Sequence, residues 1–225
     1  MKKKLVTLII SAFALGAHAQ ITFQKTYGRA NSDEGYSVKQ TTDGGYIISG
    51  FGADSGNVYL IKTDSTGDTL WTKTYGAGSG NSVQQTTDGG YIIAGSGGTN
   101  SGPAGYLIKT NNYGDTLWTK GIDGAWDATS IRQTSDGGYI VAGNYRVGYL
   151  NYTIYLTKTD STGTTLWTEK ISTDPYQKLG YPDVQQTTDG GYIVLGDFYF
   201  GAGCLVKTDA LGNVQIGRAS CRERV

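Results

Sequence analysis

Residues 41–76, TTDGGYIISGFGADSGNVYLIKTDSTGDTLWTKTYG, decide the fold, because close copies of this stretch recur three more times along the chain. The motif Asp-Gly-Gly-Tyr begins at Asp43, Asp88, Asp136 and Asp189, so successive copies are 45, 48 and 53 residues apart. A period of about 50 residues with several strand-like segments is typical of propeller blades rather than of helical solenoids. The sequence therefore predicts an all-β fold, a β-propeller of four-stranded antiparallel blades, with about four blades present.

Each copy predicts four short strands, A to D, separated by tight turns. The A strand alternates polar and apolar residues and is followed by Asp43-Gly44, a pair that tolerates the positive φ of a hairpin turn. A second turn, residues 64–67, combines an Asp that can bond nearby amides with a Gly in a left-handed position. In the first copy the predicted strands are A over 36–41, B over 46–48, C over 58–63 and D over 69–75.

The B strand indicates how the blades pack. Tyr46, Ile47 and Ile48 are apolar at successive positions, and the three other copies keep this pattern. A strand of this kind is covered on both faces, as the middle strand of a stacked blade must be. We therefore expect the recurring Tyr, Ile, Val and Trp side chains to fill the space between neighbouring blades. The alternative reading of Trp71 and its copies is a stacking platform for a ligand.

The two ends of the chain differ from the repeats. Residues 1–19 combine three lysines, a short apolar run and Ala17-His18-Ala19, which predicts a secretory signal peptide cut before Gln20. Residues 216–225, IGRASCRERV, match the translation of a sequencing-library adapter and predict a non-native tail at the end of a gene fragment. The propeller repeats are thus predicted over residues 20–215, as a partial domain.

Residues 21–28, ITFQKTYG, resemble the end of a repeat, with Phe23 in the place of Trp71. They predict a single D strand with no A, B or C strand before it. In propellers such a strand commonly completes the last blade and so removes a free sheet edge.

Composition excludes several classes of function. Without residues 1–19 and 216–225 the chain has 13 Lys or Arg and 18 Asp or Glu, a net charge of −5. This balance gives no electrostatic reason to expect nucleic acid or an anionic membrane as a partner. The single apolar run, in the leader, is too short to span a membrane, so no membrane insertion is expected.

Catalytic chemistry has little support in the residues present. The only histidine, His18, belongs to the leader, so a Ser-His-Asp triad, a Cys-His dyad or a histidine-bearing metal site is not expected. Two carboxylates suffice for a glycosidase, and outside the tail the glutamates are Glu34 and Glu169. These two glutamates are better explained as solvent-exposed charges in loops than as a catalytic pair. We predict no catalytic residues, no metal site and no cofactor.

Loop variation indicates where a ligand could bind. Because strand direction alternates, the A–B and C–D turns share one face of the propeller, and the B–C and D–A connections share the other. The first pair hardly varies between copies, whereas the second pair varies in length and composition. The variable face is therefore the expected site of specificity. Its candidate ligand-binding residues are Trp126, Asp127, Tyr145, Arg146, Tyr176, Tyr181, Phe198 and Tyr199. Shielding of the blade ends is the alternative role for these aromatic residues.

Two resemblances bear on function. The strings TTDGGYIIAG, residues 86–95, and YLIKTDSTGDTLWTKTYG, residues 59–76, resemble the propeller repeats of secreted Bacteroidetes proteins that often end in a type IX secretion sorting domain. This resemblance implies a protein released from the cell or attached to its surface, with no assigned catalytic residues. The Thr-Gly turn followed by Leu70-Trp71 is also similar, more loosely, to quinoprotein repeats, which use pyrroloquinoline quinone.

We therefore expect an exported, non-enzymatic β-propeller that binds a glycan or a protein through its variable loops and is monomeric when full length. The alternative is a fragment of an exported quinoprotein-type dehydrogenase or of another propeller enzyme.

Overall fold

The computed structural model describes residues 23–28, 33–52, 56–99, 102–147, 152–171, 180–198 and 202–215. The predicted signal peptide and the predicted tail lie outside these residues. The strands are β1 (Glu34–Gln40), β2 (Tyr46–Gly52), β3 (Asn57–Thr63), β4 (Thr69–Ala77), β5 (Ser79–Gln85), β6 (Tyr91–Thr99), β7 (Gly102–Thr110), β8 (Thr116–Gly121), β9 (Ser130–Gln133), β10 (Tyr139–Arg146), β11 (Tyr152–Thr159), β12 (Thr165–Lys170), β13 (Asp183–Gln186), β14 (Tyr192–Phe198) and β15 (Ala202–Thr208).

These strands form four antiparallel sheets in chain order, which confirms the predicted blade plan. Three sheets have four strands, β1-β2-β3-β4, β5-β6-β7-β8 and β9-β10-β11-β12, and the fourth has three, β13-β14-β15. The B and C strands are longer than predicted, because their pairing continues past the apolar core to Gly52 and Asn57 in the first sheet. No helix among the described residues is long and apolar enough to cross a membrane.

The Asp-Gly-Gly turn needs its two glycines for different reasons. Gly44 has a φ of 82°, a left-handed conformation that favours glycine. Gly45 lies so close to the end of β3, in the same sheet, that an added Cβ atom would stand 2.1 Å from the carbonyl oxygen of Thr63. The second glycine therefore permits a close approach between backbones, and the same contact recurs in the other three sheets.

Each of these turns is also held by a lysine from the C strand. Lys62 is buried, and its Nζ atom lies 2.8 Å from an Asp43 carboxylate oxygen and 2.7 Å from the carbonyl oxygen of Thr63. The hydrogen bonds from Lys62 and Thr41 lower the pKa of Asp43 to about 2, so this carboxylate is ionised at neutral pH. The equivalent pairs are Asp88–Lys109, Asp136–Lys158 and Asp189–Lys207.

The sheets stack face to face through three apolar clusters, as predicted from the B strands. Between the first two sheets, Ile47 and Leu60 pack with Val83, Tyr91 and other side chains of the second sheet. The other two interfaces repeat this arrangement around Tyr139 and Tyr192. The predicted inter-blade role of the B-strand residues is thus confirmed.

The tryptophans mark the outer part of each interface. Trp71, Trp118 and Trp167 are half-buried, and each ring contacts a tyrosine of the next sheet, edge-on for the first two and tilted for Trp167. In the first interface the Trp71 ring lies 5.8 Å from the ring of Tyr91. Recurring contacts of this kind support a packing role for these rings rather than the alternative role of ligand platform.

The first strands of successive sheets converge on a common axis. β1 contacts β5, β5 contacts β9, and β9 contacts β13. The hydroxyl of Ser37 accepts a hydrogen bond of 3.3 Å from the backbone N–H of Val83, and Ser82 and Ser130 make the equivalent bonds one sheet further along. Strand A is therefore the inner strand of each blade and strand D the outer one.

Residues 23–28 pack against the outer rim of the first sheet. Phe23 contacts Tyr46 at 5.9 Å, and Lys25 forms an ion pair of 2.8 Å with Asp68. These contacts reproduce those of Trp71 and Lys73 with the second sheet. This is the position of an outer strand of a sheet that would precede the first one, and completion of the last sheet by this segment stays a prediction. Among the described residues, β15 pairs with β14, and Thr208 forms a single bridge to Val214, just past the turn that follows β15.

Stacking, rather than pairing within a sheet, is what buries the apolar side chains. Leu60, Leu107 and Leu156 occupy equivalent C-strand positions and are at most 1% exposed. Leu205 occupies the same position in the fourth sheet, where no described sheet follows, and it is 62% exposed. The neighbouring sheet therefore supplies the cover that a single sheet lacks.

Replacing Gly90 by alanine should destabilise the fold, because the added Cβ would lie 2.2 Å from the carbonyl oxygen of Thr110. We expect the free energy of unfolding, measured by urea denaturation, to fall by about 1–3 kcal/mol. Gly121→Ala is the matched control, since its Cβ would meet no atom within 4 Å. An equal loss of stability in both variants would contradict the close-approach argument.

Candidate functional site

A cavity of about 650 Å³ opens where the inner strands begin. All four sheets contribute to it, because the starts of their A strands meet at the axis on the face of the D–A connections. Its volume lies within the range of about 300–1,000 Å³ that is typical of small-molecule sites. The cavity is lined by Tyr36, Ser79, Asn81, Ser96, Trp126, Asp127, Thr129 and Tyr181.

The connection from β8 to β9 carries Trp126 and Asp127 and is fixed from both sides. The N–H of Gly105 in β7 donates to the carbonyl of Ala125 at 3.1 Å, and the N–H of Trp126 donates to the carbonyl of Asn144 at 2.7 Å. The connection is therefore bonded to the second and third sheets at once. This bonding places two of the predicted residues firmly at the cavity.

Trp126 is half-buried and contacts two side chains of the third sheet. Its ring meets that of Tyr152 edge-on at 5.5 Å. The guanidinium of Arg146, which is exposed, lies 5.0 Å from the centre of the Trp126 ring. The ring is thus held in one orientation by an aromatic contact and a cation–π contact.

Asp127 is the buried carboxylate of the cavity, with 7% of its surface exposed. Its Oδ1 atom accepts hydrogen bonds from the backbone N–H of Asn144 at 2.9 Å and from the Asn144 amide at 3.0 Å, and Oδ2 accepts from the same amide at 3.1 Å. Burial raises the pKa of Asp127, and these bonds from Asn144 oppose the rise.

Asn144 also connects the third sheet to the fourth. Its side-chain amide donates to the carbonyl of Gly180 at 2.9 Å, and its amide oxygen accepts from the N–H of Gly180 at 3.4 Å. Tyr181, the next residue, is 89% exposed at the cavity. One asparagine thus fixes both Asp127 and the backbone from which Tyr181 projects.

The remaining walls come from the first two sheets. Tyr36 donates a hydrogen bond to Glu34, and this bond, together with burial, raises the pKa of Tyr36 to about 12. On the second sheet, Ser79 bonds to Asn81 at 2.9 Å and to Ser96 at 3.0 Å. The first, third and fourth sheets or the connections that lead into them therefore supply aromatic rings to the cavity, and the second sheet supplies a polar wall.

The structure places the sequence-predicted residues in three groups. Trp126, Asp127 and Tyr181 line the cavity. Arg146 stacks on Trp126, and Tyr145 packs beneath the connection, with Lys170 3.9 Å from its ring centre. Phe198 is the last residue of β14, and the structure describes its backbone only. Tyr176 and Tyr199 lie outside the described residues.

The contribution of the inner strands to the cavity was not predicted from the sequence. Tyr36, Ser79, Asn81, Ser96 and Thr129 line the cavity, yet they fall in or beside strands rather than in the long variable loops. A usable signal existed, because Tyr36, Asn81 and Thr129 occupy the same position relative to the repeat and differ in every copy. Variation at one strand position marks a surface that packing does not constrain.

The two glutamates weighed as a catalytic pair lie on different parts of the fold. Glu34 begins β1, an inner strand of the first sheet, whereas Glu169 lies in β12, the outer strand of the third. Among the described residues, no group of three or more His, Cys, Asp or Glu side chains lies close enough to hold a metal ion.

Solved structures share the fold of this chain. A Bacteroides caccae protein of unknown function has a TM-score of 0.57 at 18% identity, over 84% of this chain and 62% of its own. The Pan2 WD40 domain of Neurospora crassa has a TM-score of 0.56 at 11% identity, over 82% of this chain and 49% of its own. An α-L-arabinofuranosidase from Clostridium thermocellum has a TM-score of 0.52 at 13% identity, over 80% of this chain and 70% of its own.

These likenesses establish the β-propeller fold, and at such low identity they establish nothing about ligand or reaction. The chain spans less than two thirds of the length of the first two proteins. Neither a protein-family model nor a curated protein matches the sequence.

Asn144→Ala should destabilise the protein, because it removes the side-chain amide that donates to a buried carboxylate. We expect a loss of about 1–3 kcal/mol in the free energy of unfolding. The double variant Asn144→Ala/Asp127→Ala should lose less than the sum of the two single variants, by about 1 kcal/mol or more. Urea denaturation of all four proteins gives this coupling, and strictly additive losses would contradict the proposed role of Asn144.

Proposed function

We propose that this chain is an exported β-propeller that binds a carbohydrate in the cavity at its axis, without chemical turnover. Export is supported by the composition of residues 1–19 alone. Carbohydrate binding is supported by the lining of the cavity.

The observation that carries this proposal is the division of the cavity into aromatic and polar walls. Tyr36, Trp126 and Tyr181 offer ring faces against which the C–H face of a sugar ring can pack. Ser79, Asn81 and Thr129 offer small polar groups that suit sugar hydroxyls. Pockets of this kind, mainly apolar with a few convergent polar groups, are typical of small-molecule sites.

A sugar fits this cavity better than an extended peptide does. An extended peptide can bind by adding a strand to an exposed sheet edge, which supplies backbone hydrogen bonds. The inner strands at this cavity already bond to one another through Ser37, Ser82 and Ser130. A ligand here must be recognised through side chains, as sugars are.

The test is binding of the protein to a glycan array, followed by calorimetric titration with the best ligand. Tyr181→Ala and Trp126→Ala should each weaken binding at least about tenfold, or 1.4 kcal/mol. Because Tyr181 is 89% exposed, its removal should leave the fold intact.

Tyr113→Ala is the matched control, since Tyr113 is also exposed but belongs to a C–D turn on the opposite face. We expect its affinity to equal that of the unaltered protein. Unchanged binding in Tyr181→Ala and Trp126→Ala, or an equal loss in Tyr113→Ala, would contradict the site. Turnover of the bound sugar would favour the enzyme alternative.

A further inference from the structure

The buried carboxylate of Asp127 differs from the carboxylates of the four Asp-Gly-Gly turns. Asp43, Asp88, Asp136 and Asp189 each form an ion pair with a lysine of the same sheet. Asp127 is the one charged side chain in the cavity lining, and it forms no ion pair with any described residue. A buried charge without a counter-charge is unfavourable, so it is a candidate for an interaction with a ligand.

The hydrogen bonds of Asp127 leave room for one more donor. An ionised carboxylate has about four acceptor positions. Asn144 occupies three of them, two at Oδ1 and one at Oδ2. Because Asp127 lines the cavity, its remaining acceptor position at Oδ2 is the one available to a bound molecule. A donor that also carries positive charge would both fill this position and neutralise the carboxylate.

The rest of the cavity is compatible with a cation. The rings of Tyr36, Trp126 and Tyr181 present electron-rich faces, which attract ammonium groups. Arg146, whose guanidinium lies over the Trp126 ring, is exposed and outside the cavity lining. Solvent and salt screen an exposed charge of this kind much more than they screen the buried carboxylate.

We propose that the carbohydrate bound in this cavity is an amino sugar with a free ammonium group, and that Asp127 accepts a hydrogen bond from that group. This inference rests on the proposed function and adds the chemical class of the ligand. It also predicts that sugars bearing carboxylates are excluded, because their charge would lie beside that of Asp127 in a low-dielectric cavity.

The test is calorimetric titration with β-1,4-linked trimers of glucosamine, N-acetylglucosamine and glucose, at a pH where the amine is protonated. The glucosamine trimer should bind at least about tenfold more tightly than the other two, as a charge-assisted hydrogen bond predicts. Asp127→Asn should reduce this preference to within about twofold.

Asp123→Asn is the matched control, because Asp123 belongs to the same connection but is exposed and outside the cavity lining. It should keep the full preference for the amino sugar. If Asp127→Asn does not fold, the unaltered protein still tests the inference. Its preference for the glucosamine trimer should fall as sodium chloride is raised, since salt weakens the charge contact.

The outcomes separate the two proposals. Equal binding of the glucosamine and glucose trimers would overturn the role of Asp127 and leave the sugar site intact. A preference for the glucosamine trimer that persists in Asp127→Asn would also overturn the role of Asp127 and leave the sugar site intact. Failure of every trimer to bind, together with no ligand on the glycan array, would contradict the proposed function itself.

Discussion

The structure depends on one constraint, which is that each sheet is apolar on both faces and cannot bury them alone. The middle strands carry runs such as Tyr91-Ile92-Ile93, in which successive side chains point to opposite faces and all three are buried. Among the described residues, the neighbouring sheets supply the cover for such a strand. Leu205, at a position that is buried in the other sheets, is exposed in the fourth sheet, after which no described sheet follows.

Stacking of this kind determines where a ligand can bind. Because the inner strands converge, the starts of four different strands meet at one point and bring distant residues together. Tyr36 and Tyr181 come from the first and the last described sheets, yet they line one cavity. The connection that carries Trp126 and Asp127 is bonded to the sheets on either side of it, so the site inherits the rigidity of the stack. Asn144 extends this support to the fourth sheet.

Much of the fold could be predicted from the sequence, because the repeat makes local signals unambiguous. The turn residues Gly44 and Gly45 and the apolar B strands led to the right strand order and to the right packing faces.

The site was predicted less completely than the fold. Trp126 and Asp127 stood out as departures from the repeat, whereas Asn144 resembles an ordinary strand residue until its contacts with residues 17 and 36 positions away are seen. Such contacts depend on how tightly the sheets curve around the axis, which no local pattern encodes.

Chemical labelling of tyrosine side chains, resolved residue by residue by mass spectrometry, tests the stacked arrangement most directly. Tyr91, Tyr139, Tyr155 and Tyr192 are each at most 2% exposed, and each lies between two sheets. Tyr113 and Tyr181 are 67% and 89% exposed. The account predicts that the first four tyrosines stay unmodified under conditions that label Tyr113 and Tyr181 fully. Labelling of all six tyrosines to the same extent in the folded protein would contradict it.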